Sequence, residues 1–158
     1  MTHHPQIPTI TYQTAARAVA LAIEEGAKVG VRVSVTVVDP SLALVAYGRA
    51  DGTTPQSVET SRRKANTGAS MRRPSAVMPA EGAVSLEHAT GGLLTSVAGG
   101  VPLGFDGVHT GHDVVLLREE SAASVQAGCR RAMWGGGQWV AGVRLAATGE
   151  LQVLLEQS

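Results

Sequence analysis

The hydrophobic positions change period along the chain, and each change marks an element. Ala15, Ala18, Val19, Ala22, Ile23 and Ala27 recur at helical spacing, which predicts a helix with one apolar face. Thr11 stands where a hydroxyl caps a first turn, and Gly30 where a glycine closes the last. Because the stripe is mostly alanine, the helix can lie close to a sheet while burying little area per residue. From Val31 the period becomes two. Val31, Val33, Val35 and Val37 alternate with Arg32, Ser34 and Thr36, the pattern of a half-buried strand. Asp39, Pro40 and Ser41 supply turn chemistry before a second strand over Leu42 to Arg49, so the pair reads as a β-hairpin.

A loop from Asp51 to Pro55 leads into a predicted helix over Gln56 to Ser70. Pro74 and Pro79 bracket a segment with no assignment. A short helix is expected over Ser85 to Ser96, weakened by Gly91 and Gly92. Val101–Phe105 and Val108–Leu117 form a second hairpin turning at Asp106-Gly107, where glycine accepts a positive φ. Glu119 to Trp134 reads as a helix with Ala122, Val125, Cys129 and Met133 on one face. Its Glu119 and Glu120 suit the positive end of the macrodipole, and Arg130 and Arg131 the negative end. After the Gly135-Gly136-Gly137 break, Trp139–Leu145 and Leu151–Leu155 make a third hairpin around Thr148-Gly149. The order α, ββ, α, ββ, α, ββ predicts an α+β fold, an antiparallel sheet with helices on one face. The expectation is one domain over residues 1–158, with residues 1–10 a flexible N-terminus.

Composition narrows function by exclusion. Thirteen cations balance thirteen anions, whereas duplex binding needs a basic excess to neutralise phosphates. Aromatics are 3%, too few for base-stacking platforms. No nucleic-acid partner is expected. The N-terminus lacks a cationic start followed by an apolar core, and no apolar run approaches the ~20 residues that span a bilayer. No membrane partner is expected, and a cytoplasmic location follows by default. A single cysteine, Cys129, excludes an internal disulfide and a multi-cysteine zinc site.

Three motifs carry a resemblance. Val37-Val38-Asp39, Leu44-Val45-Ala46 and Arg49-Ala50-Asp51-Gly52 resemble the first hairpin of the GlcG/HbpS-like family, which includes the PduO C-terminal domain. Lys64-Ala65-Asn66-Thr67 resembles its second-helix motif. Gly99-Gly100-Val101-Pro102-Leu103 with Asp106-Gly107 resembles its glycine-glycine-x-proline turn and the hairpin that follows. Order and spacing agree from residue 11 to about 134. The resemblance implies a profilin-like α+β fold, a homo-oligomer, and haem or tetrapyrrole binding in some members. The chain departs from the pattern at three places. Leu42 stands at the usual glycine of the first turn, Leu117-Arg118-Glu119-Glu120-Ser121 replaces a small glycine-serine-glycine ending, and residues 135–158 add a hairpin.

Candidate chemistry gathers on a few residues. Arg62, Arg63, Lys64, Arg72 and Arg73 place five cations within twelve residues. Arginine and lysine there suit a carboxylate, phosphate or haem propionate; a solvated face with surface ion pairs is the plainer alternative. Lys64, inside the family-like motif, is the cation expected to point somewhere specific. Of the histidines, His3 and His4 fall in the terminus. His109 and His112 sit three apart on a strand, which places them on opposite faces and opposes joint metal ligation; no metal site is expected. His88, before the glycine-rich run, is a pocket candidate or a surface histidine. Haem, a possible cofactor, needs an axial donor, and the candidates are His88, His112, Met71, Met78, Cys129 and Tyr47. There is no phosphate-loop, dinucleotide or nucleophile-elbow motif.

Two functions remain open. One is a small-molecule binder holding haem or another planar anion, with Arg63, Lys64, His112 and Arg118 as ligand contacts and Leu93, Val101 and Phe105 as apolar lining. The other is a metal-independent acid–base enzyme of specialised metabolism, catalysing a condensation or cyclisation such as amine plus aldehyde (Pictet-Spengler-type). It would use Glu119, Glu120 and His88, since a buried carboxylate acquires a raised pKa suited to a general base.

Overall fold

The structure, a computed structural model, describes residues 8–28, 30–73, 75, 80–97, 99–105, 108–119, 139–145 and 151–157, with side-chain surroundings given no further than Leu103. Three helices, α1 (Tyr12–Lys28), α2 (Ser57–Met71) and α3 (Ala80–Ala89), accompany six strands. These are β1 (Arg32–Val38), β2 (Leu44–Arg49), β3 (Gly100–Phe105), β4 (Val108–Glu119), β5 (Trp139–Leu145) and β6 (Leu151–Gln157). The first four strands form one antiparallel sheet in the order β2-β1-β4-β3, and β5 and β6 pair with each other. The α+β class and all three hairpins match the sequence pattern. The turn residues Asp106-Gly107 and Thr148-Gly149, and the expected helix beyond Glu119, lie outside the described residues.

Each end of α1 is formed by the chemistry its sequence carries. The Thr14 amide donates to Thr11 Oγ1 at 3.3 Å, satisfying one of the orphan donors of the first turn. At the other end Gly30 takes φ +73°, its amide bonds the Ala27 carbonyl, and the Val31 amide bonds the Gly26 carbonyl, a Schellman closure. Ala15, Ala18, Val19 and Ala22 then pack on Val33, Val35 and Val37. Small side chains also let the strands approach: a Cβ on Gly48 of β2 would lie 2.5 Å from Val19 Cγ1.

The polar positions of β1 depart from expectation. Ser34 and Thr36 are not solvated but 0% and 1% exposed, because α2 covers that face. Ser34 Oγ pairs with Ser57 Oγ at 2.6 Å, and Thr36 Oγ1 with Ser61 Oγ at 2.7 Å. Helices therefore lie on both faces of the sheet, α1 on the valine face and α2 on the hydroxyl face. An alternating strand announces one apolar face, but it does not say whether the polar face meets water or a hydroxyl-bearing helix. Burying these hydroxyls is tolerable because each meets another. Ser61 Oγ also donates to the Val58 carbonyl at 3.0 Å, which leaves Thr36 as donor within its pair.

Two turns also differ from expectation. Leu42 occupies the left-handed region at φ +68°, a strained conformation for a branched side chain. It is held there by Asp39, whose Oδ1 accepts from the Ser41 amide, the Ser41 hydroxyl and the Ala43 amide. Packing of Leu42 on Val38, Ala65 and Ala69 offsets the strain. The helix expected over Ser85–Ser96 instead runs Ala80–Ala89. Gly91 and Gly92, at φ +60° and +78°, end it: their amides bond the His88 and Glu87 carbonyls. Those glycines are a terminator rather than a weakness inside the helix.

Close approach of α2 to β3 requires Gly100, where a Cβ would lie 2.2 Å from the Lys64 carbonyl oxygen. Gly100→Ala is expected to lower stability by about 2 kcal/mol or more, since backbone must shift to admit the methyl; urea denaturation measures it. For the hydroxyl seam, Thr36→Val alone should cost about 1–2 kcal/mol, and Thr36→Val with Ser61→Ala less than the sum of the single changes, because no buried hydroxyl is then left without its pair. A double-mutant cycle by denaturation gives the sign.

Candidate functional site

The cations of α2 divide into neutralised and unneutralised groups. Glu59 takes Arg62 through both carboxylate oxygens, at 2.9 and 2.7 Å, and Arg63 Nε at 2.8 Å. The three residues stand at i, i+3 and i+4, the spacing that brings helical side chains together. These two hydrogen-bonded guanidinium groups hold the Glu59 carboxyl down at about 2. All three remain partly exposed, so the network orients Arg63 more than it stabilises the fold. Beyond Glu59, the Arg63 guanidinium lies against the turn after α3: a Cβ on Gly92 would stand 2.9 Å from Arg63 Nη1.

Lys64 is different. It is 6% exposed, and among the described residues no carboxylate or hydrogen-bond acceptor meets its Nζ. Desolvation pulls its amine from the ordinary 10.5 down to about 8, as expected when a cation leaves water without a counter-charge. Helical spacing puts Lys64 three residues after Ser61, on the row that faces β1, and its carbonyl touches Gly100 of β3. The amine therefore belongs to the α2–sheet seam rather than to the solvated face of the helix. A buried ammonium without a partner is costly, so the position is one where an incoming anion gains.

The strand residues are spread along β4. His112 pairs with Leu103, Arg118 with Val33, and Glu119 with Arg32. Six residues separate His112 from Arg118, about 20 Å along a strand, so the two stand at opposite ends of the sheet. Glu119 is the last residue of β4 rather than the first of a helix, because its pairing with β1 continues two residues past the expected strand end. Phe105 closes β3 opposite Val108. Glu120, Met78 and Cys129 lie outside the described residues.

His88 sits exposed in the last turn of α3, three residues before the Gly91-Gly92 turn on which Arg63 rests. Within that segment Glu87 accepts from the Thr95 hydroxyl at 2.7 Å and the Ser96 amide at 3.2 Å. Thr95 and Thr67 exchange backbone-linked bonds at 2.8 and 3.0 Å, which ties the turn to α2. Leu93 and Val97 remain exposed on this segment at 39% and 48%. The structure thus brings Arg63, Lys64 and the His88 segment around α2, and leaves Arg118 and Glu119 remote from His112.

Sequence reading overlooked Glu59, Glu87 and Asn66. Glu59 was detectable from its spacing to Arg62 and Arg63. Asn66 was not: fully buried, it donates to the Leu93 carbonyl at 3.2 Å, while its Oδ1 has no hydrogen-bond partner among the described residues. Among those residues no cluster of three metal-ligating side chains occurs, and no helix is long and apolar enough to cross a membrane.

The depressed Lys64 amine has a consequence for stability. Its folded pKa of about 8 lies below the ordinary 10.5, so the unfolded chain binds more protons between those values. Stability should therefore rise from pH 8 to 10.5, by about 1–3 kcal/mol, with the contribution absent below pH 8 where both states carry the charge. Lys64→Met removes this rise; denaturant midpoints of both proteins at pH 7, 8, 9 and 10 provide the comparison.

Comparison with known proteins agrees with this architecture. The family model described as haem degrading protein HbpS-like matches residues 10–115, short of the expected end near 134. No curated protein sequence matches. Among solved structures, a double mutant of Streptomyces reticuli HbpS is 26% identical, covering 86% of this chain and 94% of that one, with a TM-score of 0.65. The Klebsiella pneumoniae protein ORFY is 25% identical over 75% and 85% of the two chains, with a TM-score of 0.64. The PduOC–haem complex, 22% identical over 66% and 78% with a TM-score of 0.58, shares the fold. The profilin-like reading of the four-stranded sheet and its helices holds, and the chain belongs to the HbpS-like family.

Proposed function

We propose that this protein binds a small planar anionic molecule, with haem as the leading ligand, through the cationic helix α2. The observation that carries the reading is Lys64, a buried amine without a counter-charge on the helix segment matched by the family model. At neutral pH the amine is charged, and a carboxylate delivered by a ligand would supply the missing partner. Arg63, oriented by Glu59, offers a second cation beside the α3 turn. Support also comes from the printed description of the family and from a related fold solved with haem.

The residues present fit haem in kind. Its propionates suit Lys64 and Arg63, exposed Leu93 and Val97 offer apolar surface, and the axial donors are His88, exposed on α3, and His112 on β4. Bound haem would supply iron-centred redox chemistry. The protein's own contribution is to place cations, exclude water at the α2 seam and offer an imidazole. Phe105 and Arg118, on β3 and β4, complete the proposed contacts from the sheet. The reading treats the chain as one domain that associates with copies of itself, in keeping with exposed Leu44 and Tyr47 on edge strand β2.

Hemin titration of the purified protein tests the reading. The expected result is a saturable Soret shift at one hemin per chain, lost in His88→Ala or His112→Ala, and weakened about tenfold or more in Lys64→Met through loss of a charge-assisted contact. A broad, unsaturable change shared by all variants would mean adsorption to apolar surface and would refute it.

A further inference from the structure

The sequence contains two lysines, Lys28 and Lys64, and the fold places them in opposite environments. Lys28 closes α1 in solvent, bonded to the Glu25 carboxylate, which raises its pKa above the ordinary value. Lys64 is buried in the seam between α2 and the sheet, and the side chains bonded there are hydroxyls, the Ser34–Ser57 and Thr36–Ser61 pairs. Among the described residues no carboxylate accepts from its Nζ. An amine without a carboxylate in a dry seam is held closer to its neutral form, and a neutral amine is a nucleophile.

We infer that Lys64 is a carbonyl-capture site, a primary amine that condenses reversibly with a small aldehyde. The Nζ lone pair attacks the carbonyl carbon as the C=O π pair moves to oxygen. A proton passes from nitrogen to that oxygen, giving a carbinolamine. Loss of water, carrying the former carbonyl oxygen, leaves a C=N bond to Nζ. The condensation is redox-neutral and requires no further reactant. Its ligand class is a compact aldehyde, preferably one bearing a carboxylate that the protonated imine nitrogen can balance. The inference stands apart from the haem reading: it concerns the neutral amine, and its readout contains no iron.

Several features of the fold favour capture at Lys64 over Lys28. At pH 8 about half of Lys64 is unprotonated, against less than about one part in a hundred of an amine titrating above 10.5. That difference alone favours Lys64 by about two orders of magnitude. The backbone beneath it is fixed, since the Lys64 carbonyl rests on Gly100. The amine is consequently presented from a rigid helix rather than a mobile loop.

The test is reductive trapping of the full chain with glyoxylate and cyanoborohydride at pH 8, read by intact mass and peptide mapping. The reductant delivers hydride to the imine carbon and makes the adduct permanent. The expected result is one adduct per chain at Lys64, at least tenfold faster than at Lys28, with the rate at Lys64 falling about tenfold per pH unit below 7. Lys64→Arg keeps a cation and Lys64→Met a packed apolar chain; both should leave only the slow Lys28 reaction, with circular dichroism showing that they remain folded. Modification of Lys28 ahead of Lys64, or equal labelling in wild type and both variants, would overturn the proposal.

Discussion

The fold depends on the contact between α2 and the sheet. On one side of that contact β1 presents Ser34 and Thr36, and α2 meets them with Ser57 and Ser61. On the other, Gly100 of β3 admits the Lys64 carbonyl at a distance no side chain could share. A hydroxyl seam demands geometry that an apolar one does not, because each buried hydroxyl must find its partner. It therefore sets the register of α2 on the sheet as well as its distance. The alanine face of α1 on the valine face of β1 contributes burial, with a looser requirement on alignment.

That register decides the electrostatics. The cations of α2 follow one another in sequence, but the helix turns them to different surroundings. Arg62 and Arg63 reach back to Glu59 on the partly exposed side, where the pair is screened and solvated. Lys64, one residue further, rotates into the seam and loses water without gaining a counter-charge. A rotation of about 100° per residue thus separates a surface ion pair from a desolvated amine. The α3 turn is drawn to the same helix through Thr67, Thr95 and Glu87, so the surroundings of Arg63 are held by a connected set of bonds.

Much of this fold was legible in the sequence, for identifiable reasons. Alternation along β1, the helical alanine spacing of α1, and the turn residues at Asp39 and Asp106-Gly107 are local signals, and the elements formed where they pointed. The exceptions were set by long-range contacts. The polar row of β1 looked solvated until α2 covered it. Gly91 and Gly92 resembled interruptions of a helix whose true start lay five residues earlier. Glu119 carried the charge suited to a helix start, yet β1 extended the strand through it. At Leu42 the sequence departs from the family's glycine, and only the Asp39 bonds and the apolar contacts of α2 explain how a leucine stays left-handed.

The candidate site shows the same division. Sequence alone determined the elements of the sheet, the family, the clustering of cations on one helix, and Lys64 as the cation within a recognisable motif. These depend on residue type and spacing, which chain order preserves. Tertiary structure decided that Arg62 and Arg63 are paired, that Lys64 is not, that His112 and Arg118 stand about 20 Å apart on one strand, and that His88 is exposed at a helix end. Burial and the identity of neighbours arise from segments distant in sequence. An amine's desolvation is therefore a property of the packed seam, absent from the residues taken one after another.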